Sequence, residues 1–278
     1  MNAFDCRVTV LVDNSAEDGL ATEHGLSLWI ETGDMRILFD TGQGMALEHN
    51  VDALGIDLRD ADALVLSHGH YDHTGDVARV LGMCPQIHVY CHPDVMLERY
   101  SVRDGAATSI GMPKRSMAAM ETLPSERLHW VQQPIMLSDS IGLTGPIPRE
   151  AEYEDTGGPF FLDSDGQRPD PIEDDIALWI RRDESLFVCV GCAHAGIVNT
   201  VSYIERLNPS FRIRTILGGL HLVNATSHRL QETADALRRT DAEVIVPIHC
   251  TGEAGTVALQ ATLGDRAVIG AAGMTWRC

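Results

Sequence analysis

The chain has 278 residues, 44% of them hydrophobic, with 21 Lys+Arg against 40 Asp+Glu and a formal net charge of -19. That length and apolar fraction suffice for a sizeable core and exclude a disordered chain; the acidic surplus, with Lys114 the single lysine, repels a nucleic acid backbone and leaves a small-molecule partner as the expectation. The first residues lack the basic-then-apolar pattern of a secretory signal, no run approaches the ~20 apolar residues of a membrane span, and 7 cysteines without framework spacing fit reduced thiols, so a cytoplasmic protein that does not engage a membrane is expected.

Strands are predicted over 6–13, 26–31, 35–40 and 63–67, and helices over about 43–55 and 75–82. A strand at 87–91 leads into a short helix opened by Pro93, and further strands fall near 127–132, 141–144 and 175–181. The stretch 145–172, rich in Gly, Pro, Asp and Glu, reads as an ordered loop excursion near the site and not as a linker, so 1–278 is expected to form one domain. The last third alternates strand 186–190, helix 195–207, strand 215–219, helix 226–239, strand 243–248 and helix 253–263. Each of these strands ends at ligand-type residues, Cys192 with His194, then His221, then His249, as open α/β sheets commonly arrange at carboxyl strand ends.

The densest chemistry is Ser67-His68-Gly69-His70-Tyr71-Asp72-His73, directly after the apolar run Ala63-Leu64-Val65-Leu66. Neutral imidazoles suit zinc and other borderline divalent ions, and a carboxylate adds a hard ligand for the same ions. A chain leaving a strand end can aim His68 and His70 one way while Asp72 and His73 turn elsewhere, which serves two ions sharing a water.

This loop, with Leu38-Phe39-Asp40-Thr41-Gly42 before it, resembles the His-x-His-x-Asp-His hallmark of the metallo-β-lactamase superfamily. The resemblance implies an α/β fold of four layers, an αββα sandwich with two mixed sheets between outer helices. Ser67 to Gly75, Gly191 to Asn199, Gly218 to Leu222 and His249 to Gly252 are similar to the branch named for the archaeal enzyme that joins a dihydropterin to a ribofuranosylaminobenzene phosphate. Many relatives in that branch have no assigned substrate.

The resemblance implies two divalent metal ions, with zinc first and iron or manganese as alternatives. His68, His70 and His194 would hold one, and Asp72, His73 and His249 the other. Cys192 stands where the superfamily usually has a bridging aspartate, and a thiolate there favours zinc or iron over magnesium. The usual third histidine is missing from Leu143 to Arg149, a vacancy that His194 would fill unless it contacts substrate. His221 would protonate a leaving oxygen, bind a phosphate or touch a metal. Asp40 would orient a ligating imidazole, Asp174 and Asp175 the loop, and Arg149 an anionic substrate group. His92 and Glu154 are weaker candidates, and His24, His49, His88, His129 and His228 carry no expected role.

Three functions follow. A metal-dependent hydrolase would turn an activated water on a phosphoester, lactone or similar small, anionic substrate. A transferase would displace diphosphate from a dihydropterin-type substrate. A non-catalytic binding or sensing protein would keep only the metal. Native metal, substrate and oligomeric state stay open.

Overall fold

The computed structural model describes residues 6–278. Seven strands form one sheet: Thr275–Arg277 pairs with Arg7–Val12, followed by Ser27–Glu31, Arg36–Phe39, Ala63–Val65, His88–Cys91 and Leu128–Trp130. A second sheet runs Val244–Ile248, Arg212–Gly219, Ser185–Val190, Ala177–Arg182, Ile141–Leu143 and Ile135–Met136.

Alternation along these strands sorts their side chains into layers, because successive residues of a strand point to opposite faces. Val8, Val10, Leu28, Ile30, Ile37 and Phe39 meet Leu178, Ile180, Phe187, Cys189, Leu217 and Val246 between the two sheets. Leu11, Trp29, Leu38 and Leu64 face the other way, onto residues of the helices Leu47–Leu54, Val77–Met83 and Lys114–Glu121. Trp179, Val188, Ile216 and Ile245 pack against Ile197–Leu207, Ser227–Arg239 and Gly252–Leu263. The result is helix, sheet, sheet, helix. Strands buried on both faces read as continuous apolar runs, which is why they stood out in the sequence.

Several boundaries moved for identifiable reasons. The helix expected from 43 begins at Leu47, because the Glu23 carboxylate takes the backbone N–H groups of Gln43, Gly44, Met45 and Ala46. The helix at Pro93 is a single 3-10 stretch, Pro93–Met96. A small third sheet was not anticipated: Tyr100–Arg103 and Ala106–Ser109 form a hairpin, with Phe160–Phe161 of the excursion along its edge. Its turn is Asp104-Gly105, both at positive φ (50° and 77°), a dipeptide that favours tight hairpins and was the available signal.

The expectation of seven reduced thiols is corrected at two positions. Cys6 and Cys278 form a disulfide with Cα atoms 5.2 Å apart, brought together by antiparallel pairing of the first and last strands, Arg7 opposite Arg277. Cys84, Cys91, Cys189, Cys192 and Cys250 are free and buried. Among the described residues, no helix is long and apolar enough to cross a membrane.

Candidate metal centre

Strand ends from both sheets converge on one group of side chains. Ala63–Val65 leads to Ser67 and His68, and the short helix Tyr71–Thr74, entered at His70, carries Asp72 and His73. A side chain at Gly69 would collide with the Arg99 guanidinium and the Val95 carbonyl, so only glycine fits between the two histidines. The parallel strands Ser185–Val190, Arg212–Gly219 and Val244–Ile248 deliver Cys192 with His194, His221 and His249. Asp40 (φ 60°), Ala193 (50°), His221 (44°) and His249 (51°) adopt left-handed backbone. Such conformations cost on the order of 1–3 kcal/mol each, and here they turn the chain sharply at the strand ends that build the site.

Four imidazoles, those of His68, His73, His194 and His249, are held on Nδ1 and leave Nε2 to face the cluster. His73 Nδ1 lies 2.7 Å from Asp40 Oδ2, which also accepts the Ser67 hydroxyl at 2.6 Å, while Asp40 Oδ1 accepts the Ser67 N–H at 2.7 Å. Ser67 Oγ is 2.9 Å from His68 Nδ1, His194 Nδ1 is 2.8 Å from the Thr156 carbonyl, and His249 Nδ1 is 3.0 Å from Asn14 Oδ1. These contacts fix ring orientation as partners of metal-ligating histidines do. On the facing side, His73 Nε2 is 3.1 Å from Cys192 Sγ and 3.3 Å from His249 Nε2, and Asp72 Oδ2 is 3.3 Å from His249 Nε2.

The donors fit divalent cations. His70 Nε2, His194 Nε2 and His221 Nδ1 are buried with no hydrogen-bond partner, a costly condition for polar atoms. Groups of ligand atoms lie within 4.8 Å of one another: His68, Cys192 and His194 form one, and His73, Cys192 and His249 a second. Burial first, and mutual repulsion second, hold His68 well below the ordinary imidazole range, and burial does the same for His70 and His194. Neutral rings keep their lone pairs for a cation. Burial opposes ionisation of Asp72, yet His73, His24 and His249 outweigh it and hold its pKa well below the usual carboxylate range.

Asp175 behaves oppositely. Burial pushes its pKa up to about 7, even though its carboxylate accepts the Ala195 N–H at 2.7 Å. An acid whose folded pKa is raised binds more protons folded than unfolded, so its contribution to stability falls as pH rises from about 4 to about 7, by about 1.4 kcal/mol per pH unit. Asp175→Asn is expected to flatten that part of the stability profile. Denaturant melts of both proteins at several pH values check this, and parallel profiles would refute it.

Other expected residues have different occupations. Arg149 donates to the carbonyls of His194 (2.8 Å), Ile172 (3.2 Å) and Pro171, and so clasps the backbone that carries His194. Glu154 takes the N–H groups of Val198 and Asn199 at the start of the helix Ile197–Leu207, and His92 caps Pro93–Met96. Asp174 Oδ2 accepts the Gly69 N–H at 2.7 Å and is gripped by buried Arg99.

A cleft of about 440 Å³ opens above the cluster, lined among others by Asn14, His24, Tyr71, Ser101, Arg103 and Phe160. His24, given no role from sequence, places Nε2 3.2 Å from Asp72 Oδ2. It comes from an irregular loop, and no local pattern marks it. Arg103 comes from the unanticipated hairpin and makes no ion pair among the described residues.

With that geometry in place, similarity to known proteins assigns a class. The family model described as "Metallo-beta-lactamase superfamily" matches residues 21–249, and the chain belongs to that superfamily. It is 33% identical over 248 residues to the Methanocaldococcus jannaschii protein "Uncharacterized protein MJ0448", covering 88% of this chain and 90% of that one. It is 29% identical to 7,8-dihydropterin-6-methyl-4-(beta-D-ribofuranosyl)-aminobenzene-5'-phosphate synthase of the same organism, covering 83% and 82%. Among solved structures, Tm1679, titled a metal-dependent hydrolase of the beta-lactamase superfamily, superposes with a TM-score of 0.83 at 26% identity, covering 98% of this chain and 99% of that one.

Proposed function

We propose that this chain is a metal-dependent hydrolase of a small anionic ester, with a phosphoester as the first candidate. One observation carries the reading: three buried imidazole nitrogens without partners belong to a single packed group of rings, beside Asp72 and Cys192 and beneath an open cleft. His68, His70, His194 and Cys192 would hold one divalent cation, and Asp72, His73, His249 and Cys192 the other. Bound there, the pair would supply Lewis acidity and lower the pKa of a water.

The remaining work belongs to the chain itself. Asp40 and Ser67 hold His73 and His68 in one tautomer, so that little reorganisation is needed as charge develops. Arg103, exposed at the cleft wall beside Ser101, supplies positive charge to an anionic substrate in an otherwise acidic protein. Phe160 packs on His70 and His194, with ring centroids 5.2 and 5.5 Å away, and shields that side of the cluster from water. His221 Nδ1 is buried without a hydrogen-bond partner, available to a proton or to an ion.

The 29% identity to the dihydropterin enzyme favours a second reading, displacement of diphosphate by a second organic substrate. Both are tested by loading the protein with zinc, manganese or iron and offering phosphomonoesters, phosphodiesters, lactones and thioesters. Phosphoester turnover that chelation removes and metal restores is expected. Pyrophosphate release requiring two organic substrates would favour the transferase, and metal binding without turnover of any kind would leave a sensor.

A further inference from the structure

Cys192 belongs to a third group of ligand atoms, with His221 and Cys250, all buried and all within 4.8 Å of one another. Cys250 follows His249 directly in the 3-10 turn His249–Thr251 and is 6% exposed. The bland account of such a residue is a packed core thiol. Buried Cys84, Cys91 and Cys189 fit that account, since each lies within one of the hydrophobic clusters. Cys192 and Cys250 lie in none of the three clusters.

The surroundings of the two sulfurs are also shaped for close approach. Cys250 Sγ sits 3.8 Å from the Cys192 carbonyl, and a side chain at Gly219 would run into that sulfur at 2.6 Å. A side chain at Gly157 (φ +85°) would strike the Cδ2–Nε2 edge of His221. Gly157 of the excursion approaches that edge closely, and on the other side of the ring Nδ1 is buried with no hydrogen-bond partner. A residue 8% exposed therefore carries an unsatisfied donor-acceptor atom next to two thiols.

We propose that Cys192, Cys250 and His221 form a sulfur-rich cation position that competes for the Cys192 sulfur with the two expected from the family, with a preference for soft or borderline ions such as Zn²⁺ or Cd²⁺. The inference rests on the reading of the cluster as a metal centre and moves His221 from proton donor to ligand through Nδ1. Each thiol loses its proton to solvent as its sulfur bonds the ion. With bonds of about 2.3 Å to sulfur and about 2.0–2.1 Å to nitrogen, tetrahedral donors stand roughly 3.5–4 Å apart, so side-chain shifts of about 1 Å close the site. Thiolates select soft cations, so this position fills first when cadmium is scarce.

The test needs no substrate. Metal-free protein receives less than one equivalent of cadmium, and X-ray absorption fine structure counts the sulfur neighbours of the ion. Two sulfurs are expected in the unmodified protein; one or none overturns the proposal. At saturation, the ultraviolet thiolate-to-cadmium band should drop by about half in Cys250→Ser and vanish when Cys192→Ser is added, whereas an unchanged band in Cys250→Ser overturns it. Cadmium held only by nitrogen and oxygen defeats this proposal and leaves the metal-centre reading standing; failure to bind any divalent cation defeats both.

Discussion

Replacing Asp72 with alanine is expected to lower metal-dependent turnover by roughly 10²–10³-fold or more, the scale lost when one preorganised electrostatic partner is removed from a reacting centre. Asp72 is the anionic oxygen donor among the ligand groups, with His24 at 3.2 Å, His249 at 3.3 Å and His73 at 3.9 Å. Without it the buried rings of His73 and His249 and the exposed ring of His24 lose the charge that attracts a cation. The depressed pKa means the carboxylate is ionised at neutral pH, and its contribution to stability disappears only as pH falls below the usual carboxylate range. Kinetics on protein of measured metal content check the expectation. Turnover within threefold of the parent protein would remove Asp72 from the site.

Arg99→Met should cost about 3–5 kcal/mol of stability, the typical penalty for stranding one half of a buried ion pair. Arg99 is fully buried. Its guanidinium holds Asp174 at 2.6 and 2.8 Å and Asp170 at 2.8 Å, and Asp174 in turn holds the Gly69 N–H between His68 and His70. The substitution leaves two carboxylates in the interior and frees the loop that carries the first two histidines, so weaker metal binding should accompany the lower stability. Denaturant unfolding gives the first quantity and metal titration the second. Arg99→Met combined with Asp170→Asn and Asp174→Asn should recover part of the loss, because the stranded charges go with it. A cost below about 1 kcal/mol for the single change would show that the triad is not the brace described.

These two residues illustrate what was legible from the chain. Asp72 belongs to a heptapeptide following an apolar strand, and everything that marks it lies within a few residues. Arg99 is an arginine in a segment with no periodic pattern, and its partners are 71 and 75 positions away; nothing local distinguishes it from a surface charge. His24 and Cys250 were passed over for the same reason, although Cys250 stands beside a histidine that was singled out. Arg149 differs in another way: its loop composition suggested an anion anchor, and the fold directs its Nη1 and Nη2 to backbone carbonyls, contacts that no local pattern announces.

Local patterning was enough for the order of strands and helices, for the histidine loop and for the ligand-type residues at the strand ends, because side-chain alternation and turn chemistry act over short stretches; the four-layer arrangement was implied by the family resemblance. Which of those strand ends meet, how the hairpin walls the cleft, where the buried Arg99 charges are neutralised and which thiols sit beside which imidazoles depend on contacts between distant segments. Each such contact offsets its ordering cost only once the sheets have packed, and no single stretch of chain carries that information.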